Sequence, residues 1–414
     1  MIAEGETTTA GVPTGLMNTR ADSLGSIFRV HRELRGLTVR EVAQTMRVSV
    51  GHLYSVESGS RQASPKLAVR LALFFDLPMK DFVTILLKCE SRCATLCKFA
   101  ETLSDYGCLA AAQVVWNAAS ALNRSTYHSR YAGRIYHGQG KAAYLLGDYR
   151  IAAKYFERMV HAAQHDPRSN KLGIAYYDYG QTLHALGHQA KALQMYAMAL
   201  QCFALNRSVF NIGVVRHARG LLLLEAGFYD EALADFRSSV HCFRGAPNRY
   251  FEAILGMGSA NLGLGQLDNA ERAFVAARKK CGTKYNEARA LTHLAVVERQ
   301  RGHLENAQRY SAMALDIFAA EEAQLPAYQA ALLEAGVIAG LRGDAAKATK
   351  YILEIDAKGA IQDASDAGAF LLLSTALGIW PKHQGDNYSI RDDYTRRTAA
   401  ALAILRTARL GSPT

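Results

Sequence analysis

A glycine returns along this chain at a spacing that leaves few folds open. Gly107, Gly147, Gly187, Gly227, Gly265, Gly302 and Gly343 follow one another at intervals of 40, 40, 40, 38, 37 and 41 residues. Five positions after each stands an alanine: Ala112, Ala152, Ala192, Ala232, Ala270, Ala307 and Ala348. Nine positions after the first five glycines stands an aromatic ring: Trp116, Phe156, Tyr196, Phe236 and Phe274. The last two units place the ring one position earlier, at Tyr310 and Tyr351. Seven positions before the marker glycine there is usually a second glycine, Gly140, Gly180, Gly220, Gly258 or Gly336, with Ala100 and Ala295 in the other two units. The pattern predicts paired antiparallel helices. The marker glycine ends the first helix, where a left-handed residue without a Cβ is cheapest. The alanine lies one turn into the second helix and lets the two approach, while the internal glycine makes the same allowance on the first. The ring wedges between one hairpin and the next. Such a hairpin cannot bury its apolar face alone, so neighbours must stack. With 8 prolines in 414 residues and no strictly alternating runs of Val, Ile and Thr, a β-sandwich or barrel is excluded.

Segments such as GQTLHALGHQAKALQMYAMAL (180–200) and GLLLLEAGFYDEALADFRSSV (220–240) resemble the tetratricopeptide repeat, and the resemblance covers about residues 88–360. The family's usual unit is about 34 residues, so units near 40 imply longer helices or longer inter-repeat loops, such as 165–170 and 244–249. A further helix is expected near 361–377 and a last one near 388–410, capping the array over 361–414.

Residues 21–87 follow a different rhythm. Helices are expected at 22–35, 39–46, 50–57, from Pro65 to Phe75, and over LPMKDFVTILL (77–87). Gly36 ends the first; Thr38 with Glu41 three positions on has capping-box spacing; Ser49 caps the third, and Ser64 with Pro65 opens the fourth. The stretch LRGLTVREVAQTMRVSVGHLYSVESGSRQASPKLAVRLALFFDLP resembles the phage-repressor (XRE-like) helix-turn-helix domain. Val42, Ala43, Val48, Leu53 and Val56 match its core positions, and Glu57–Ser58–Gly59 the closure of its recognition helix. The resemblance implies that Val50, Gly51, His52 and Ser55 face bases, and that Arg40, Ser49, Tyr54, Arg61 and Gln62 lie near phosphates. The chain departs from the family at Val50, Gly51 and Val39, where polar side chains are common, which implies few direct base contacts and more reliance on DNA shape or close backbone approach. A helix-turn-helix that only packs is the competing reading.

The net charge of +11 and pI of about 9.3 favour anionic partners, nucleic acid first. Residues 1–20 read as a flexible tail without the apolar core of a signal peptide. No apolar run is long enough to span a bilayer; the longest lies near 369–380. The cysteines number 7, without scaffold spacing, which fits reduced thiols in a cytoplasm. Cys89, Cys93 and Cys97, at i, i+4 and i+8 on one linking helix, with Cys108 beyond a turn, are expected to pack as small hydrophobes rather than to bind metal or sense redox state. His161/His165 and His184/His188 lack the glutamate of a zinc-protease motif. No phosphate loop, nucleophile elbow or dinucleotide fingerprint occurs, so no cofactor is expected and an enzyme is the weaker class.

The whole chain thus reads as all-α: a five-helix helix-turn-helix domain followed by a right-handed tetratricopeptide-like α-solenoid. This architecture resembles the peptide-pheromone (quorum-sensing) receptors of Gram-positive bacteria grouped as RRNPP. The resemblance implies a cytoplasmic transcription regulator, a homodimer on double-stranded DNA, whose array binds a short imported peptide. Counting inward positions from the internal glycines places Arg134, His137, Lys141, Tyr144, Tyr177, Gln181, His184, His217, Glu252, Ser259, Arg289, Thr292 and Arg299 on the ligand-facing side. Arginines would hold a carboxylate, Gln181 and Thr292 a peptide backbone, and the tyrosines apolar side chains. Two alternatives fit the same residues: repeats that bind a protein partner, or an adaptor in which the helix-turn-helix only packs.

Overall fold

The computed structural model describes residues 23–125, 131–164, 170–320 and 326–344, together with 347, 348, 350, 351 and 354. The expected tail, the helices beyond 361, and the 165–169 stretch with His165 lie outside them. Among the described residues eighteen α-helices and no strand are present. The N-terminal group is α1 (Leu24–Leu34), α2 (Val39–Thr45), α3 (Val50–Glu57), α4 (Pro65–Phe74) and α5 (Met79–Cys89). Hairpins follow: α6 (Cys93–Asp105) with α7 (Leu109–Ser125), α8 (Ala132–Leu145) with α9 (Tyr149–Ala163), α10 (Asn170–Ala185) with α11 (Gln189–Leu205), and α12 (Val209–Glu225) with α13 (Tyr229–Cys242). Then come α14 (Pro247–Gly263) with α15 (Leu267–Lys280), α16 (Lys284–Gln300) with α17 (Leu304–Ala320), and α18 (Pro326–Leu341). The helices pack into two compact units that divide after Ala162, so the division falls inside the repeats.

All seven marker glycines have positive φ, between 70° and 85°. At Gly147 the cap geometry is complete: its N–H donates to the Tyr144 carbonyl at 3.1 Å, and the Asp148 N–H donates to the Ala143 carbonyl at 2.9 Å. These two bonds satisfy carbonyls that the end of α8 would leave orphaned, and only a left-handed residue lets the chain make them. Ala112, Ala152, Ala192, Ala232, Ala270 and Ala307 have no exposed surface. The rings Trp116, Phe156, Tyr196, Phe236 and Phe274 are buried beside them, while Tyr310 and Tyr351 are half-buried. Phe236 shows why the helices carry glycines. A Cβ on Gly220 of its own hairpin would lie 3.0 Å from the ring, and a Cβ on Gly256 of the next hairpin would lie 2.5 Å from it. The ring therefore occupies the space of two missing side chains, one on each side.

In the first unit one apolar core runs without interruption from Phe28 through Val42, Leu53, Phe82, Phe99 and Trp116 to Ala142. The Phe82 and Phe99 rings, on α5 and α6, stand 6.4 Å apart. The N-terminal helices and the first hairpin are thus joined by shared packing rather than by a bare linker.

The expected single linking helix is two helices. Glu90 (φ −125°, ψ 119°) and Arg92 (φ −92°, ψ 119°) are extended, and the Glu90 carboxylate accepts the Arg92 N–H at 2.8 Å. Cys89 is therefore exposed at the end of α5, and only Cys93 and Cys97 share a helix, α6. Cys97 is fully buried, and burial pushes its thiol up to about 12, so it stays protonated and packs as a hydrophobe.

Candidate nucleic-acid interface and repeat face

The recognition helix α3 begins at Ser49, whose hydroxyl accepts the His52 N–H at 3.2 Å. The preceding helix begins with a complete capping box. The Thr38 hydroxyl accepts the Glu41 N–H at 3.2 Å, and the Glu41 carboxylate accepts the Thr38 N–H at 2.7 Å. Leu53 and Val56 bury the inner side of α3. Its last residue is tied to α1 by a bidentate ion pair. Arg32 Nε donates to Glu57 Oε1 at 2.8 Å, Nη2 donates to Oε2 at 2.9 Å, and Nη1 donates to the Leu37 carbonyl at 2.9 Å. Both side chains are 90% or more buried, and the Glu57 carboxylate holds the Arg32 guanidinium above its ordinary range. Gly25 lets α1 come close: a Cβ there would lie 1.8 Å from the Val56 carbonyl oxygen. Sequence reasoning assigned Glu57 to helix closure and missed both Arg32 and Gly25. Their signal, single residues without periodicity, is weak.

The outer side of α3 presents Val50, Gly51 and Tyr54, of which Tyr54 is 65% exposed. Arg40, Ser49, Arg61 and Gln62 are exposed around it. Ser55 is half-buried and donates its hydroxyl to the Gly51 carbonyl at 2.8 Å. His52 is half-buried, with its Nε2 covered and without a hydrogen-bond partner among the described residues. Gly51 faces open space: a Cβ would meet nothing within 4 Å. The packing of the chain itself therefore does not require a glycine there, although a helical glycine costs up to about 1 kcal/mol against alanine.

The expected ligand-facing residues divide between the two units, and each set is described by itself. In the first unit Arg134, His137, Lys141 and Tyr144 lie along one side of α8, with only Lys141 fully exposed. Arg134 makes two 2.6 Å bonds to the Glu101 carboxylate. In the second unit Tyr177, Gln181 and His184 are half-buried on α10, and His184 Nε2 lies 2.8 Å from Glu225 Oε2. Arg299 on α16 donates to the wholly buried Glu334 at 2.8 Å. His217, Arg289 and Thr292 lie inside the helix packing instead of on a ligand-facing surface. Arg289 is fully buried, paired with Glu252 and stacked on Phe251 with its guanidinium carbon 5.3 Å from the ring. Thr292 donates to the Ala288 carbonyl at 3.0 Å. The reason is local partners: His217 on α12 packs edge-on against the Phe236 ring, and Arg289 and Thr292 on α16 turn to Glu252 and to their own helix, so the count from the internal glycines set buried side chains on a groove. Desolvation lowers His217 to about 4 and His293 to about 3, so both are neutral. Burial raises the Glu334 carboxyl to about 7 against the pull of Arg299. No group of His, Cys, Asp and Glu suited to a metal occurs among the described residues, and none of their helices is long and apolar enough to cross a membrane.

Comparison with known proteins agrees with this geometry. Residues 29–82 match the family model described as helix-turn-helix. Among solved structures, a tetratricopeptide repeat protein from Parabacteroides merdae matches with a TM-score of 0.50 at 17% identity, over 68% of this chain and 98% of that one. PilW, described as a widely conserved type IV pilus biogenesis factor, matches with a TM-score of 0.45 at 19% identity, over 56% of this chain and 96% of that one. PilF of Pseudomonas aeruginosa gives a TM-score of 0.41 at 19% identity, over 55% of this chain and 92% of that one. No curated protein matches. The chain carries an XRE-type helix-turn-helix domain followed by tetratricopeptide-like helical repeats; at these identities the structural likeness concerns the fold alone.

Proposed function

We propose that this chain is a cytoplasmic transcription regulator that binds double-stranded DNA through α3 as a homodimer, and whose repeats bind a short peptide that controls the two DNA-binding heads. The observation that carries the DNA reading is the outer surface of α3. It is held by the Arg32–Glu57 pair, framed by Arg40, Ser49 and Arg61, and centred on a glycine that internal packing does not need. A missing side chain at the centre of such a surface lets a helix backbone approach a phosphate or a groove floor. Gly51→Ala tests this directly. It is expected to stabilise α3 by up to about 1 kcal/mol and yet to weaken duplex binding. Equal or tighter binding by this variant rejects close approach. Arg40→Ala and Arg61→Ala are expected to weaken all duplexes alike and to make affinity less dependent on salt.

The peptide reading rests on the half-buried Tyr177, Gln181 and His184 of α10 and on the paired arginines Arg134 and Arg299. A ligand carboxylate would exchange with Glu101 or Glu334 at one of these bidentate-capable sites. A partly apolar peptide of roughly five to ten residues is expected to bind more tightly as the free acid than as the amide, by calorimetric titration. Equal affinities reject the assignment. One observation favours a second reading, a protein partner on the repeats: both arginines already hold a carboxylate of the chain itself, which leaves their surface nearly neutral. Binding that is indifferent to Arg134→Ala and Arg299→Ala supports that reading instead.

A further inference from the structure

In the second unit the helices alternate direction, so the turns after α11, α13 and α15 fall at one edge and the turns after α12, α14 and α16 at the other. The two edges carry opposite charge. The edge after α12, α14 and α16 exposes Asp230, Glu231, Asp268 and Glu305. The edge after α11, α13 and α15 exposes Arg207, Arg244, Arg249, Lys279 and Lys280. Among the described residues none of these five side chains makes an ion pair or hydrogen bond, whereas the acids closest to them in sequence, Glu252 and Glu287, are already held, the first by Arg289 and the second by Arg278 and Lys284.

Helix electrostatics accounts for part of this. Acids favour helix N-termini and cations favour C-termini, which suits Lys279 and Lys280 in the last turn of α15. It does not account for Arg249, nor for the backbone that carries Arg207. Arg249 sits in the first turn of α14, where the helix dipole repels a cation, and the acid one turn on, Glu252, is bound to Arg289. Arg207 sits just beyond α11 with φ 52°, the left-handed position that the seven marker turns give to glycine. A Cβ is disfavoured in that conformation. Arg249 thus stands against its helix dipole and Arg207 in a backbone conformation that favours glycine, and neither side chain is paired among the described residues.

We propose that this edge is a second contact surface for the DNA backbone, sequence-independent and additional to α3. It rests on the reading that the chain binds duplex DNA. Helices α12, α14 and α16 are packed neighbours, and with interaxial spacings of roughly 10 Å the three turns span roughly 20 Å. At about 3.4 Å per nucleotide along one strand, that reaches roughly six phosphates. The competing occupant is an acidic protein segment, for which Leu205, Val209 and Phe210 offer exposed apolar surface. Those three are confined to the single turn between α11 and α12, whereas the cations continue over all three turns, which fits a uniform polyanion better.

The test is fluorescence-anisotropy titration of the intact chain with a mixed-sequence duplex of roughly 40 base pairs, over roughly 50–200 mM salt. Three proteins are compared: the parent, an edge variant (Arg207→Ser, Arg249→Ser, Lys279→Ser and Lys280→Ser), and a recognition-helix variant (Arg40→Ala and Arg61→Ala). The edge variant is expected to show a log–log salt slope shallower by about 2 to 4, at about 0.9 per lost phosphate contact, with its melting midpoint unchanged. Replacing the two arginines by lysine instead keeps the slope. An edge variant with the parent's slope, beside a recognition-helix variant whose slope falls, overturns the edge proposal and leaves the α3 reading standing. The reverse pattern rejects α3 as the reader and supports the edge. A parent without salt-sensitive duplex binding overturns both. An edge variant that keeps its duplex slope but loses binding to poly-glutamate moves the surface to an acidic protein and overturns the nucleic-acid assignment.

Discussion

The helix-turn-helix and the repeats begin and end their helices by different means. In the N-terminal group, Ser23, Thr38, Ser49 and Ser64 each place a side-chain oxygen on the N–H three residues on. In the repeats, His188, Phe228 and Gln266 stand at the corresponding positions before α11, α13 and α15 and make no such bond. There the closing device is the left-handed glycine at the end of the preceding helix. Length explains the difference. Helices of 7 to 11 residues, such as α2, α3 and α1, are too short to hold themselves and are started by a side-chain cap; α5, which follows Pro78 and packs along the shared core, does without one. Helices of 14 to 17 residues, as in α11, α13 and α15, are held by two neighbours along their whole length, and the tight turn between them fixes the start of the second. The first region specifies four of its five helices individually; the second specifies one joint and reuses it, adding a side-chain cap at Thr283 where α16 follows an inter-hairpin turn.

The largest effect expected from this difference falls on a contact used once. Glu57→Ala leaves the Arg32 guanidinium buried without its bidentate carboxylate, with only the Leu37 carbonyl and the half-exposed Glu33 still in reach. Breaking a buried pair in this way costs about 3–5 kcal/mol, enough to unfold the N-terminal group in urea. The double replacement Arg32→Met with Glu57→Leu removes both charges and is expected to recover most of that loss. A urea midpoint for Glu57→Ala equal to the parent's would show that the pair is not what anchors α3.

In the repeats no single joint should matter as much, because its neighbours share the strain. Ala232→Leu overpacks the crossing of α12 and α13, and Gly256→Ala drives a Cβ to 2.5 Å from the Phe236 ring. Each is expected to cost about 1–3 kcal/mol by thermal melting, against little change for Gln201→Leu on an exposed position. Melting midpoints for the first two that match the parent's would refute the helix-pair joint.

Acid should also separate the regions. His217 is buried and neutral, lowered to about 4 by desolvation first and then by Arg249 and Arg289. A lowered histidine adds stability that is present above the unfolded-state value near 6.5 and is lost as pH falls toward about 4. From pH 7 to pH 5 that amounts to about 2 kcal/mol. Glu334, raised to about 7, works in the other direction and weakens the fold as pH rises from about 4.5 to 7. His217→Gln is therefore expected to flatten the loss of stability between pH 7 and 5, measured by urea titration at each pH. An unchanged loss would place the acid-sensitive group elsewhere.

What the sequence disclosed follows the same division. The repeat joint was legible because it recurs: a left-handed glycine, a buried alanine and a wedged ring leave the same trace in every unit. The short helices were legible through Thr38–Glu41, Ser49 and Ser64, since a capping oxygen must stand next to the helix it starts. Ion pairs such as Arg289–Glu252 and Arg299–Glu334 join residues more than thirty positions apart, and nothing local marks them. Counting inward positions from glycines therefore set the buried Arg289 beside the half-buried Arg134 and Arg299. The break at Glu90 was hidden for a related reason. It contains neither Gly nor Pro, and its extended geometry is fixed by the Glu90 carboxylate on the Arg92 N–H, a bond that a three-residue loop makes only once folded.

The smallest expected effect is the most discriminating for the two ways of starting a helix. Thr38→Ala removes the oxygen that accepts the Glu41 N–H and leaves that donator at the start of a helix of only 7 residues. Loss of such a cap costs about 1 kcal/mol. Thr38→Asn, which can still accept the bond, should cost much less. Gln266→Ala makes the corresponding change before α15, where no side-chain oxygen is in use and Gly265 already closes the joint through its N–H to the Leu262 carbonyl at 3.0 Å. Its stability should equal the parent's. Urea titration of the three variants decides the matter: a Gln266→Ala loss as large as that of Thr38→Ala would mean that the long helices depend on their first residue as the short ones do, and that the glycine joint alone does not start them.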